Sequence, residues 1–138
     1  MNTMVKLLAA AFGALVSAVT GMPPVVWVLI GVMTLDFVTG LVLAAAGRSP
    51  KSPSGALSSN AAFQGLMRKC MVLLVVLLAA LLDAAVASGA QAPFSAVTGA
   101  TCLWFIASEG LSILENAAQL DLPLPPALKK ALEVMKKE

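Results

Sequence analysis

Residues 24–46, PVVWVLIGVMTLDFVTGLVLAAA, form an apolar run broken by one charge, Asp36. A helix needs about 20 residues to cross roughly 30 Å of hydrocarbon, so the run reads as a transmembrane helix. No Lys, Arg or His lies within three turns of Asp36 along the chain. An unpaired carboxylate in hydrocarbon costs several kcal/mol, so an intramembrane acid marks a polar path or a packed interface. Asp83 and Glu109 repeat the pattern in two later apolar segments.

The whole chain agrees with this reading. Its 138 residues are 59% hydrophobic and 12% charged, with mean hydropathy +0.93, whereas about a quarter of the residues of a soluble domain are charged. A chain this small has too much surface relative to its volume to bury that apolar content in a water-soluble core. The predicted class is a small all-α multi-pass membrane protein. A net charge of +2 is too small to suggest nucleic acid as a partner. There is no His, and Cys70 and Cys102 fit no metal or redox spacing, so neither cofactor nor metal is expected and both thiols read as buried and reduced. Without His, no nucleophile, base and orienting group assemble, which argues against an enzyme.

Four apolar segments, about 4–20, 24–46, 70–88 and 93–117, make up a membrane domain of residues 1–120. The first, with Lys6 ahead of an apolar stretch, has the outline of a signal peptide, but an uncleaved helix starting near Met1 is expected. Its Ala9, Gly13, Ser17 and Thr20 share one face, with Met4, Leu8, Leu15 and Val19 opposite, which suits a short span packed through small residues or an interfacial helix. The 47–69 loop is rich in Ser, Pro and Gly and carries Arg48, Lys51, Arg68 and Lys69 without an acid, which places it in the cytoplasm. The uncharged turn at 89–92 then lies outside. Lys6, together with Lys129 and Lys130 in the tail, puts both termini in the cytoplasm. Prolines at 123, 125 and 126 end the last segment, and the 121–138 tail closes with a short basic amphipathic helix suited to an anionic leaflet, a neighbouring subunit or solvent.

At 1.5 Å per residue Asp36 lies about 18 Å from Pro24, which puts it near the midplane. The same reckoning puts Asp83 toward the outside and Glu109 nearer the cytoplasm, so the acids are predicted at different depths. In the fourth segment Thr98, Thr101, Ser108, Glu109, Ser112, Glu115 and Asn116 occupy about a third of the helix circumference, a stripe that must face protein or water. Ala79, Ala80 and Ala87 around Asp83, and Thr39 and Gly40 near Asp36, allow close helix approach. The alternative to a wet path is that the acids are protonated and only lock helices together through hydrogen bonds.

Three strings carry a resemblance: Leu35-Asp36-Phe37-Val38-Thr39-Gly40; the loop Ser49-Pro50-Lys51-Ser52 with Ser58-Ser59 and Gly65-Leu66-Met67-Arg68-Lys69; and Glu109-Gly110-Leu111-Ser112-Ile113-Leu114-Glu115-Asn116 followed by Leu122-Pro123-Leu124-Pro125. Together, over residues 30–138, they resemble the phage lysis and toxin-secretion holins. The resemblance implies a bacterial inner-membrane homo-oligomer that accumulates harmlessly and then opens lesions releasing a murein hydrolase or a toxin. The intramembrane acids, the small-residue seams and the polar stripe make Asp36, Thr39, Gly40, Asp83, Thr101, Ser108, Glu109, Ser112, Glu115 and Asn116 candidates for the pore or assembly surface. The six basic residues Arg48, Lys51, Arg68, Lys69, Lys129 and Lys130 are assigned to topology or lipid headgroups. A small proton-coupled multidrug exporter, with four short helices and an intramembrane acid, and an antiholin or membrane scaffold are the competing readings.

Topology is directly testable. In a background lacking Cys70 and Cys102, cysteines placed at Ser54 and Met135 are expected to react with a membrane-impermeant thiol reagent only from the cytoplasmic side, and one at Gln91 only from outside. External labelling at position 54 would reverse the arrangement.

Overall fold

Pro23 and Pro24 set the start of the first long span: Pro24 occupies the opening turn of a helix, where its missing N–H costs nothing. In the computed structural model, which describes residues 2–89 and 96–137, the chain forms α1 (Thr3–Thr20), α2 (Pro24–Ala45), α3 (Ser59–Gly89), α4 (Ala96–Gln119) and α5 (Pro126–Lys137). Helices α2, α3 and α4 are each long and apolar enough to cross a membrane, while α1 is a shorter apolar helix. Most of the turn expected at 89–92, and the expected start of the last span at 93–95, lie outside the described residues.

Residue pairing gives the helix directions. Thr39 meets Asn116 and Arg48 meets Asp121, so α2 and α4 run parallel. Lys69 meets Glu109 and Asp83 meets Thr98, so α3 runs antiparallel to α4. Helix α2 packs most extensively on α4, α3 packs mainly on α4, and α5 folds back on α4. Among the described residues α1 packs against none of them. The apolar core joins Val26, Leu29 and Met33 of α2, Val72 and Val76 of α3, and Cys102 of α4. Leu29 and Cys102 are fully buried. Only 22% of the apolar window of each span is buried, and Leu35, Val38, Leu74, Leu77, Leu78 and Leu81 point outward, a surface that lipid rather than water must cover.

Helix α3 begins at Ser59, well before the apolar run near Cys70, so the 47–69 segment is a loop only as far as Ser58. The reason is local: Ser58 Oγ accepts the Ala61 N–H at 3.4 Å as an N-cap, and Ala61, Ala62, Gln64, Leu66, Met67, Arg68 and Lys69 are all good helix formers. Helix formation does not wait for the membrane boundary. Arg68 and Lys69 therefore ride on a rigid helix.

The same stop closes α2 and α4. At α2, Gly47 takes φ +73°, and the N–H groups of Gly47 and Arg48 reach back to the carbonyls of Ala44 and Leu43. At α4, Asp121 takes φ +62°, and the N–H groups of Asp121 and Leu122 reach Ala118 and Ala117. Both are Schellman closures, the second built on Asp instead of Gly. Arg48 then ties the two ends, donating to the Gln119 carbonyl at 3.2 Å and to Asp121 at 2.6 Å. That pair is exposed, so it contributes at most about 1 kcal/mol.

The 47–58 loop is folded on itself. Ser49 N–H donates to the Gly55 carbonyl at 2.9 Å, and the buried Ser52 hydroxyl donates to the Ala56 carbonyl at 2.7 Å. Gly55 has φ +73°, and a Cβ there would lie 2.3 Å from the Gly47 carbonyl oxygen, which is backbone and cannot swing aside. Gly55→Ala is therefore expected to destabilise the protein by more than the roughly 1–2 kcal/mol of the backbone conformation alone. Thermal unfolding in detergent, with Gly65→Ala as the comparison at an uncrowded position, checks this.

Candidate functional site

The charged residues of the spans fall in register with the core. On α2 the inward face runs Val26, Leu29, Met33, Asp36, Gly40, Leu43; on α3 it runs Lys69, Val72, Val76, Ala79, Asp83; on α4 it runs Thr98, Cys102, Phe105, Glu109, Ser112, Asn116. Steps of three and four residues keep each series on one side of its helix. Polar residues on these faces therefore meet one another.

At the centre the Lys69 ammonium donates to Asp36 Oδ2 at 2.7 Å and to Glu109 Oε2 at 2.5 Å. The side chains of Lys69, Asp36 and Glu109 are only 13%, 8% and 12% exposed. Asn116 continues the seam, its amide donating to Thr39 Oγ1 at 2.9 Å and approaching Asp36 Oδ1 at 3.4 Å, while Thr39 donates to the Asp36 carbonyl at 3.0 Å. Gly40 lies under the Asn116 amide, with room for the two helices to come close. Asp36 lies about 14 Å along α2 from Ala45, and Glu109 about 15 Å along α4 from Gln119. The two acids thus share one level, not two: the predicted separation in depth fails because α2 and α4 run parallel and both lean on one cation. Lys69, assigned from sequence to topology, is instead the buried partner of both.

The end of the bundle away from the 47–58 loop holds a second cluster. Asp83, 5% exposed, accepts the Val97 and Thr98 N–H groups at 3.0 and 2.8 Å and the Thr98 hydroxyl at 2.6 Å. A carboxylate borrowed from α3 thus caps the first turn of α4, satisfying N–H groups that have no partner inside their own helix. Between this cap and the triad lies the apolar layer of Val26, Leu29, Met33, Val72, Val76 and Cys102.

On the loop side, a cavity of about 140 Å³ reaches from Ser49, Lys51 and Ser58 down to the triad, with Ser108 and Ser112 on its α4 wall. It has room for several water molecules. Among the expected site residues, Thr101 is half-buried and Glu115 exposed, and neither joins these clusters by a hydrogen bond or ion pair given for the described residues. Lys129 and Lys130 are exposed on α5. Cys102 is buried as expected, but Cys70 is exposed on the outer side of α3, because it lies next to Lys69 and off the inward face. Among the described residues no three Cys, Asp or Glu side chains converge as a metal site requires.

Lys69, which the sequence offers as a topology marker, faces the bundle interior. Its signal was its phase: it stands one turn before Val72 on the face that continues to Val76 and Asp83.

Comparison with known proteins adds an independent line. The sequence profile of the bacteriophage holin family matches residues 13–137. An uncharacterized protein of Clostridium acetobutylicum is 33% identical over 109 residues, covering 79% of this chain and 78% of that protein. One from Halalkalibacterium halodurans is 28% identical over 137 residues, covering 99% and 96%. A protein of Bacillus phage phi105 named "Probable holin" is 32% identical over 104 residues, covering 75% and 68%. No solved structure matches.

The triad sets one ammonium against two carboxylates, a formal balance of −1. Removing either acid leaves a neutral pair, whereas removing the lysine leaves two adjacent buried carboxylates. Lys69→Gln is therefore expected to destabilise the bundle by about 3–5 kcal/mol. Asp36→Asn and Glu109→Gln are each expected to cost much less. Unfolding of the three variants in detergent checks the order; an equal cost for all three would mean that the ammonium is not the shared partner.

Proposed function

Because the chain belongs to the bacteriophage holin family, we propose that it is a holin: a protein that oligomerises in the bacterial inner membrane and opens a lesion through which a murein hydrolase or a toxin leaves the cytoplasm. The observation that carries this reading is the charged seam folded into a bundle whose exterior is apolar. A single copy keeps its polar face inward, against Lys69, Asp36 and Glu109, and presents lipid-compatible side chains outward. Such a protein accumulates without leaking, since the layer of Val26, Leu29, Met33, Val72, Val76 and Cys102 closes the path between the loop-side cavity and the Asp83 cap. When enough copies gather, the helices part along the seam, and Ser108, Ser112, Glu109 and Asn116 turn to line water between subunits. Thr101 and Glu115 extend that lining on the same helix.

The triad sets the threshold in this scheme. Parting α2 from α3 and α4 separates buried charges in a low-dielectric setting, which is costly until water reaches them. Lysis does not begin until assembly offsets that cost. An exporter would instead need its acid free to exchange drug and proton, whereas the Asp36 carboxylate is held by the Lys69 ammonium.

Expression in a bacterium is expected to leave growth normal for a delay and then to collapse the membrane potential abruptly. A co-expressed murein hydrolase lacking a signal sequence is expected to reach the wall only after that collapse. Among variants that still accumulate in the membrane, Lys69→Gln is expected to shorten the delay severalfold, while Asp36→Asn, which leaves the Lys69–Glu109 pair, shifts it far less. Gradual slowing from the outset with the hydrolase retained inside would refute the holin reading and leave an antiholin or scaffold. Dye resistance that depends on Asp36, with no collapse, would identify an exporter.

A further inference from the structure

Four basic residues stand on the segment between α2 and the apolar part of α3, and two of them are held in ion pairs. Arg48 is bound to the end of α4 through Gln119 and Asp121, and Lys69 is consumed by Asp36 and Glu109. Among the described residues Lys51 and Arg68 form no ion pair, yet both line the cavity of about 140 Å³. We propose that this cavity binds the phosphate of an anionic lipid headgroup, held between Lys51 and Arg68. The site rests on α2, α3 and α4 crossing a membrane and is independent of lysis.

Three features of the cavity select this ligand. Its charged lining is three cations, Lys51, Arg68 and Lys69, against two carboxylates, Asp36 and Glu109, so it repels a cation and attracts a single anionic group. Lys69 is bound to both carboxylates, which leaves Lys51 and Arg68 as the cations of the lining that form no ion pair among the described residues. The cavity is bounded on one side by the loop residues Ser49, Lys51 and Ser58, and its other wall is apolar, with Phe37, Leu41, Ala44 and Leu57. A phosphodiester with a glycerol backbone and the start of acyl chains matches that mixed lining better than a free polar solute does.

The wall is also built in advance. Ser49 is hydrogen-bonded to Gly55 and Ser52 to Ala56, and the backbones of Gly47 and Gly55 lie close together. Lys51 is thereby held on a rigid turn and Arg68 on a continuous helix. Cations on fixed supports lose less freedom on binding than cations on a mobile tail, which favours a specific site over general attraction to an anionic surface.

The experiment uses the full chain in phosphatidylcholine nanodiscs with or without phosphatidylglycerol, following the thermal unfolding midpoint, and detergent-solubilised protein whose retained lipid is counted by native mass spectrometry. Phosphatidylglycerol is expected to raise the midpoint of the unmodified protein and to remain bound. In K51Q/R68Q the shift is expected to vanish and binding to weaken by roughly tenfold or more, as loss of charge-assisted contacts predicts. K129Q/K130Q, which removes the same charge from α5, is expected to retain both, as is the charge-conserving K51R/R68K. Equal losses in K51Q/R68Q and K129Q/K130Q would reduce the effect to surface charge and overturn the site, as would undiminished binding in K51Q/R68Q. An equal stabilisation by inorganic phosphate without phosphatidylglycerol would assign the cavity to a soluble phosphate and overturn the lipid.

Discussion

One ammonium holds the centre of this protein. Lys69 arrives on α3 from beyond the apolar run and places its charge between Asp36 of α2 and Glu109 of α4, so three helices converge on a single atom. In a medium without water, each carboxylate needs a partner or a proton, and here both use the same cation. The parallel course of α2 and α4 and the antiparallel course of α3 are the arrangement in which all three side chains reach one level. Hydrophobic packing alone does not choose it, since lipid tails are as apolar as the leucines of these helices.

Around that centre the bundle is layered along its length: the Asp83 cap at the end far from the loop, an apolar layer, the triad with Thr39 and Asn116, and an open cavity under the loop. Each polar layer is internally satisfied, and among the described residues no buried side-chain nitrogen or oxygen lacks a partner. A polar interior of this kind is stable within one copy. It is also a store of water-compatible surface, available if the helices separate. The holin reading draws on that duality: the same side chains that lock the single copy become lining when copies assemble.

The loop between α2 and α3 has a share in both. Its turn is rigid because Gly47 and Gly55 cross at backbone distance, and α3 extends out of the apolar run to meet it. Consequently Lys69 projects inward from a continuous helix, while Arg68, one residue away and about 100° around the axis, stays exposed and lines the cavity. Adjacent basic residues thus receive different tasks from helix phase alone. Helix α1, by contrast, packs on none of the other helices among the described residues.

By itself, the sequence determined the class and the elements. Apolar length requires membrane-spanning helices, Pro24 and the prolines after Asp121 mark their ends, and the 3.6-residue period of α4 assigns its polar stripe to one face, because all of these depend on neighbours within a few turns. The Asp-Phe-Val-Thr-Gly and Glu-Gly-Leu-Ser-Ile-Leu-Glu-Asn strings pointed to the family that the profile match then showed. What only the tertiary structure decided is who meets whom. Asp36 lies 33 positions from Lys69 and Lys69 lies 40 from Glu109, so no local pattern joins them. The cation looked like a topology marker because a charge beside an apolar run ordinarily points to the interface. Only the packing of α3 against α2 and α4 turned it inward, where two carboxylates that hydrocarbon would otherwise reject made its burial favourable.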